Sequence, residues 1–179
     1  VINGRAPIDL EVPWFSYAAI DFLEGFLRSD MSVFEYGSGG STLFFAQRCK
    51  SVYAIEDNPK WHELVTSRVQ QKGLRNVVVK LCPYDFKNPV EFEKSEYFNS
   101  MPDLSFEVLV VDGSEEWTQV RPACFAKAEQ HVKPGGIIVV DDSWRYPGLR
   151  QNNRAKEHRV FQSVGPCRPG VTSTDVFFY

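Results

Sequence analysis

The sequence lacks any apolar run near the ~20 residues that a membrane-spanning helix needs. It also lacks the basic, apolar and small-residue succession of a secretory leader. A membrane partner is therefore not expected. The chain begins at Val1 rather than Met, which leaves a preceding segment open. Positive charge is not in excess either, since 20 Lys and Arg stand against 23 Asp and Glu for a net charge of −3. That excludes a broad basic face, so a nucleic-acid partner is not expected. Paired cysteines are missing too. Cys49, Cys82, Cys124 and Cys167 stand singly with no CxxC, which argues against a zinc site or a disulfide framework. They read as reduced, mostly buried thiols of a cytoplasmic protein. No internal repeat or low-complexity tract is visible.

What the chain does have is core material. Its 179 residues are 43% hydrophobic and 14% aromatic, which suits one domain with a full-sized core. Short β-branched runs alternate with helical patterns, which predicts an α/β fold. The expected architecture is a Rossmann-like, doubly wound sheet of about seven mostly parallel strands. Asn3 to Pro13 reads as an extended arm. Trp14 to Arg28 reads as an amphipathic helix, with Phe15, Ala18, Ala19, Phe22, Leu23, Phe26 and Leu27 on one stripe. Residues 1–30 are thus expected to pack on a domain spanning 31–179.

Strands are expected at Ser32–Tyr36, Ser51–Ile55, Asn76–Leu81, Glu107–Val111 and Ile137–Val140, the last after a Pro134-Gly135-Gly136 turn. Two final strands follow, at His158–Val164 and Thr174–Tyr179. Helices are expected at Ser41–Arg48, Pro59–Lys72 and Trp117–Val132. Phe86 to Ser105 reads as a loop with one short helix, and Arg145 to Lys156 as polar and mobile. The runs Val77-Val78-Val79, Val108 to Val111 and Ile137 to Val140 are apolar without alternation, as in strands covered on both faces.

The strongest local signal is Phe34-Glu35-Tyr36-Gly37-Ser38-Gly39-Gly40-Ser41-Thr42, at the end of a strand and before a helix. Glycines there allow a sharp turn and close approach to a ligand, and Ser41 or Thr42 can cap the helix. Glu56, followed by Asp57, ends the next strand about twenty residues on, where a carboxylate can accept from both ribose hydroxyls. This much suits either a nicotinamide dinucleotide or an adenosyl cofactor. The dinucleotide fingerprint, counted from Gly37, needs a small third member and finds Thr42. Glu35 would repel a pyrophosphate and attract an ammonium. Both details favour an aminoacyl nucleoside.

With Ile55-Glu56-Asp57, Val110-Val111-Asp112-Gly113 and Val132-Lys133-Pro134-Gly135-Gly136-Ile137-Ile138-Val139-Val140-Asp141-Asp142, the glycine segment resembles the ordered motifs of class I S-adenosylmethionine-dependent methyltransferases. The match runs from Phe34 to Asp142 and extends to Tyr179, where the family's sheet ends in an antiparallel hairpin. The resemblance implies S-adenosylmethionine as cofactor. Gly37, Ser38 and Gly39 would line its methionine part with Glu35 close by, and Tyr36, Gly40, Ser41 and Thr42 would complete the loop. Glu56 and Asp57 would hold the ribose. Asp85 would reach the adenine amino group, although Asp in that position also suits a plain turn.

Asp112 closes the fourth expected strand, and Asp141 and Asp142 the fifth. Carboxyl ends of neighbouring parallel strands share one crevice, where three carboxylates repel each other unless a cation sits between them. Mg²⁺ or another divalent cation is expected there, and the trio is similar to the metal-binding set of catechol-type O-methyltransferases. On that resemblance Asp112 and Asp141 are catalytic, and Asp112, Asp141 and Asp142 hold the metal. The bland alternative gives Asp112 an orienting role and makes Asp142 or Ser143 a helix cap. The lysine that catechol-type enzymes carry after the fourth strand is replaced by Gly113-Ser114-Glu115-Glu116-Trp117. His62 and His158 could serve as base only if loops folded back.

Trp61 anchors its helix or stacks near the adenine. Trp144, Arg145 and Tyr146 border the acceptor pocket or fill a loop. The stretch Arg145, Arg150, Arg154, Lys156 and Arg159 is a solvated face or an attractor of acidic acceptors. The expected function is O-methylation of a small hydroxylated molecule. A non-catalytic methyltransferase-like binding protein and a nicotinamide-dependent oxidoreductase stand as alternatives.

Overall fold

The computed structural model describes residues 5–87, 91–113 and 119–179. The arm is not wholly extended. Its Pro7–Leu10 segment forms a helical turn, α1, with Pro7 in the first turn where its missing N–H costs nothing. Helix α2 (Tyr17–Phe26) starts three residues later than expected, because the Ser16 hydroxyl caps it by accepting from the Ala19 amide. The same residue ties the helix to the sheet: its amide donates to Thr174 Oγ1 at 3.0 Å and its hydroxyl to the Phe161 carbonyl at 2.9 Å.

Strand β1 (Ser32–Tyr36) leads through the glycine turn into α3 (Gly40–Ala46), followed by β2 (Ser51–Glu56), α4 (Pro59–Gln71) and β3 (Val77–Leu81). The Asn58 side chain caps α4 by accepting from the Lys60 and Trp61 amides. A 3-10 turn at Phe92–Lys94 and the short α5 (Glu96–Asn99) break the expected loop. Then come β4 (Phe106–Val111), α6 (Val120–Ala128), β5 (Val132–Val140), two 3-10 turns at Ser143–Arg145 and Pro147–Arg150, and the hairpin β6 (Glu157–Val164) and β7 (Val171–Phe178).

The seven strands form one sheet in the order β3-β2-β1-β4-β5-β7-β6. Strands β1 to β5 pair in parallel, and β7 pairs antiparallel with both β5 and β6. The fold is the expected Rossmann-like sheet with an antiparallel C-terminal pair. Chain order reverses between β1 and β4, which places a crevice at the carboxyl ends of these strands.

Alternate side chains of the central strands fill two cores. Phe34, Leu109, Val111, Ile138, Val140 and Phe177 meet α6 and the Phe92–Met101 region on one face. Val33, Val108, Val110, Ile137, Val139 and Val176 meet α2 and α3 on the other. Burial on both faces explains why β4 and β5 read as unbroken apolar runs.

Several expectations are corrected. Val77 to Val79 is not covered on both faces: β3 is an edge strand and Val78 is 54% exposed, so its β-branched run reflects strand propensity rather than burial. The Pro134-Gly135-Gly136 segment does not precede β5 as a separate turn. It lies within the strand, at a register shift against β4 between Phe106 and Val108. The segment from Arg145 is not merely a polar loop, since Tyr146 and Leu149 are buried. The expected inward Trp117 lies outside the described residues. Cys49, Cys82 and Cys124 are buried, Cys167 is half-buried, and all four are free thiols. Among the described residues no helix is long and apolar enough to cross a membrane.

Leu109→Ala, in the doubly covered β4, is expected to lower stability by about 2–5 kcal/mol, whereas Val78→Ala on the edge shifts it by no more than about 0.5 kcal/mol. Denaturant unfolding of the two variants checks this, and equal losses would contradict the edge placement.

Candidate active site

The reversal point of the sheet carries a cavity of about 470 Å³, within the range of small-molecule sites. Four strand ends contribute to its wall. After β1 come Gly37 and Ser38, at the end of β2 Glu56 and Asp57, after β4 Asp112 and Gly113, and after β5 Asp141 and Asp142. Trp61 from α4 and Arg121 from α6 close the sides, and Trp14, Arg145, Cys167 and Arg168 form the outer wall.

Gly37 makes the turn possible. Its φ is +96°, and a Cβ there would sit 2.6 Å from the Asp112 carbonyl oxygen, so a side chain is excluded both by conformation and by the neighbouring strand. Its amide donates to the Ile55 carbonyl at 2.9 Å. Ser38 is held from two sides. Its hydroxyl donates to Glu56 Oε2 at 2.7 Å and its amide to the same oxygen at 3.2 Å, while its carbonyl accepts from the Trp61 indole N–H at 2.7 Å. Trp61 thus anchors the loop rather than only its own helix. The other oxygen of Glu56 accepts from the Asn58 amide at 3.0 Å. Burial raises the Glu56 pKa, against the pull of the Ser38 and Asn58 hydrogen bonds.

The rest of the glycine segment is divided between the cavity's surroundings and the core. The Tyr36 ring points into the core on the opposite face, its hydroxyl donating to the Phe98 carbonyl at 2.9 Å, and does not reach the cavity. The Thr42 hydroxyl accepts from the Gly39 amide at 3.0 Å and is fully buried, so its role is to fix the turn. Gly39, Gly40 and Ser41 border a small side cavity against Pro7, Ile8 and Trp14. Gly40 is required by the arm: a Cβ on it would collide with the Val12 and Pro7 carbonyls.

Glu35 does not line the cavity either. It is 1% exposed, and neither carboxylate oxygen has a hydrogen-bond partner at proper geometry. Burial pushes its pKa up to about 7, partly offset by the nearby Ser41 and Thr42 side chains and reinforced by the Glu56 charge. Asp85 is exposed and outside the cavity, with Oδ1 accepting from the Lys87 amide at 3.0 Å, the turn role.

The three aspartates reach the cavity but do not assemble as metal ligands. Among the described residues no group of three or more His, Cys, Asp and Glu side chains could hold an ion. The reason is that each carboxylate has its own partners. Arg121, 3% exposed, donates from Nη2 to Asp112 Oδ1 at 3.1 Å and to the Gly113 carbonyl at 2.9 Å, and from Nη1 to the Asp141 carbonyl at 2.6 Å. Asp141 Oδ1 accepts from Thr174 Oγ1 at 2.8 Å. Asp142 Oδ1 accepts from Thr172 Oγ1 at 2.8 Å and from Arg168 at 3.1 Å. Two guanidinium groups thus supply the positive charge that was assigned to a divalent cation, and the residues present do not fit one. Burial, then the charges of Asp112 and Asp142, hold the Asp141 carboxyl well above the usual carboxylate range.

Arg121 is a cavity residue that the sequence reading missed. Its signal was available, because it stands three, four and seven residues before the inward Cys124, Phe125 and Ala128. A charged residue on a buried stripe asks for a partner. Arg168, Cys167 and Trp14 carry no such pattern. The basic stretch is largely engaged elsewhere: Arg150 pairs with the buried Asp175 at 2.7 Å, Arg154 with Glu129, and Arg159 with Glu157, leaving Arg145 at the cavity wall. No histidine lines the cavity. His62 contacts the Val79 carbonyl, His131 the Leu104 carbonyl, and His158 stacks on Phe177.

With this geometry established, residues 34–143 match the family model described as a methyltransferase domain. The chain belongs to this methyltransferase family, within the class I superfamily. Solved structures share the fold. An O-methyltransferase from Bacillus cereus in complex with SAH, the demethylated S-adenosylmethionine, is similar over 99% of this chain and 83% of its own, with a TM-score of 0.68 and 16% identity. TomG, an O-methyltransferase from Streptomyces achromogenes in complex with SAM, gives a TM-score of 0.64 at 16% identity over 95% and 84% of the two chains. An rRNA methylase from Streptococcus thermophilus gives 0.62 at 14% identity over 98% and 96%. No protein of curated function matches the chain in sequence.

The buried, unpartnered Glu35 sets a pH dependence. Its folded pKa near 7 lies above the ordinary glutamate value of 4.5. Its contribution to stability is therefore fully present below pH ~4.5 and is lost as pH rises through ~7. Glu35→Gln, which keeps the neutral shape, is expected to be more stable than the parent at pH 8 by about 3 kcal/mol. The two should converge at pH ~4.5. Chemical denaturation across that range checks it, and a difference independent of pH would contradict the burial of an ionisable carboxyl.

Proposed function

We propose that the protein transfers a methyl group from S-adenosylmethionine to a hydroxyl of a small acceptor. The observation that carries this reading is the single cavity joining the Gly37–Ser38 turn and Glu56 to Asp112 and Asp141. Five carboxyl groups against three arginines line it, an acidic lining suited to a ligand with a cationic centre. Gly37 and Ser38 would hold the amino-acid end, and Glu56 and Asp57 the ribose, with Trp61 beside the turn. When bound, the cofactor supplies an electrophilic sulfonium methyl.

The chain's own part is to bind, orient and move one proton. Asp112, with its side chain 23% exposed and steered by Arg121, is the carboxylate placed to accept the acceptor's hydroxyl proton. Asp141, more deeply buried and held by Thr174, keeps the floor rigid. Positioning of the hydroxyl in line with the methyl supplies most of the rate. No step needs a metal. The solved relatives named as O-methyltransferases support the hydroxyl as acceptor atom, and the net charge of −3 weighs against an RNA acceptor. The four free thiols support a reducing, cytoplasmic setting.

Calorimetry with SAH is expected to show micromolar binding. Glu56→Ala should weaken it by about tenfold or more, the loss of charged hydrogen bonds. Asp112→Asn should keep SAH affinity within a few-fold while lowering kcat by about 10²–10⁴. No heat of binding from a folded sample, or unchanged turnover in Asp112→Asn, would contradict the assignment.

A further inference from the structure

A groove of about 850 Å³ adjoins the methyl-transfer cavity and shares Cys167 and Arg168 with it. Its walls come from the arm and the β6–β7 turn, outside the residues matched by the methyltransferase model. Leu10, Tyr17 and Val164 line it and are 39%, 44% and 51% exposed, so their apolar faces are open to solvent. Trp14, 42% exposed, stands at the edge of the neighbouring cavity.

The charge of the groove is opposite to that of the cavity. Its described lining contains Arg5 and Arg168 and no carboxylate. The two acids of the arm are engaged on α4, Asp9 with Arg68 at 2.9 Å and Glu11 with Lys72. Arg168 gives one Nη to Asp142 at the cavity side, and a guanidinium has five donors in all. The β6–β7 turn is pressed against the Trp14–Phe15 segment that joins the arm to α2, because a Cβ on Gly165 would lie 2.8 Å from the Phe15 carbonyl oxygen. The groove is therefore a built junction of two chain segments.

We propose that this groove holds the distal part of the acceptor, and that the acceptor is an elongated hydroxylated molecule carrying an anionic group. The anion, a carboxylate or phosphate, is bound by Arg5 and Arg168. The ring or apolar body lies on Tyr17 and Leu10, and the hydroxyl reaches past Arg168 to Asp112. An anion is recognised by arginine through charge-assisted, bidentate hydrogen bonds, and a flat body by exposed aromatics. The proposal rests on the methyltransferase reading for the identity of the neighbouring cavity.

The test uses anilinonaphthalene sulfonate, an anionic aromatic probe whose fluorescence reports binding, beside neutral anilinonaphthalene. The sulfonate is expected to bind saturably and more tightly than the neutral probe. Arg5→Glu should weaken it by about tenfold or more, and Tyr17→Ala should weaken it as well. Bound probe should slow alkylation of Cys167, the one cysteine that is not buried.

Phenyl phosphate and hydroxybenzoate should each compete, and the stronger competitor identifies the preferred anion. Equal affinity of charged and neutral probes, an unchanged Arg5→Glu, unprotected Cys167, or displacement by neither anion overturns the proposal. Stronger displacement by a single-stranded oligonucleotide overturns it in favour of nucleic acid. SAH calorimetry on the same samples separates the two readings. SAH binding without the probe sinks only the groove, and probe binding without SAH sinks the cofactor assignment and with it the groove's reading as part of an acceptor site, leaving an anion-binding groove.

Discussion

The Glu56 carboxylate fastens the end of β2 to the turn that follows β1, with one oxygen on Ser38 and the other on Asn58. The turn it restrains has no room for adjustment, since Gly37 lies against the Asp112 carbonyl and Trp61 draws the Ser38 carbonyl from the other side. Keeping a carboxylate buried there is unfavourable, as its raised pKa shows. Hydrogen bonds to its charged form offset that cost. The same donors leave the carboxylate ordered before a ligand arrives, which is the condition for binding two hydroxyls without a large loss of side-chain freedom.

Around this point the cavity is organised by charge. Its floor is acidic, and the repulsion among Asp112, Asp141 and Asp142 is relieved by Arg121 and Arg168 rather than by a metal ion. Arg121 does this from α6 with almost no exposure, bridging the ends of β4 and β5 through the Gly113 and Asp141 carbonyls. Arg168 does it from the β6–β7 turn. Arg121 therefore ties two strand ends of the sheet together and Arg168 links the sheet to the outer wall, and the lining changes from acidic to basic across Arg168.

Much of this was legible in the residues. The short β-branched runs and the helical patterns located all seven strands and the main helices, and the structure brings the glycine turn and Glu56 into one cleft with Asp112, Asp141 and Asp142. What failed did so for definable reasons. Adjacent residues of a strand point to opposite faces, so Glu35, Tyr36 and Gly37 could not all face one ligand; Tyr36 went to the core and Glu35 beneath the turn. Clustering of aspartates at strand ends reports proximity of backbones, not the direction of carboxylates, and the cations that compensate them lie on α6 and a distant turn. Val77 to Val79 shows that an apolar run cannot tell an edge strand from a buried one. Gly40, read as a ligand contact, answers to the arm packed over it.

The central claim is that Glu56 and the Gly37–Ser38 turn grip an adenosyl ligand in the cavity that ends at Asp112. A crystal structure of the protein soaked with SAH tests it most directly. The account predicts the ribose on Glu56 and the sulfur directed toward Asp112. Ligand bound elsewhere, or an empty cavity in crystals saturated with SAH, would contradict it.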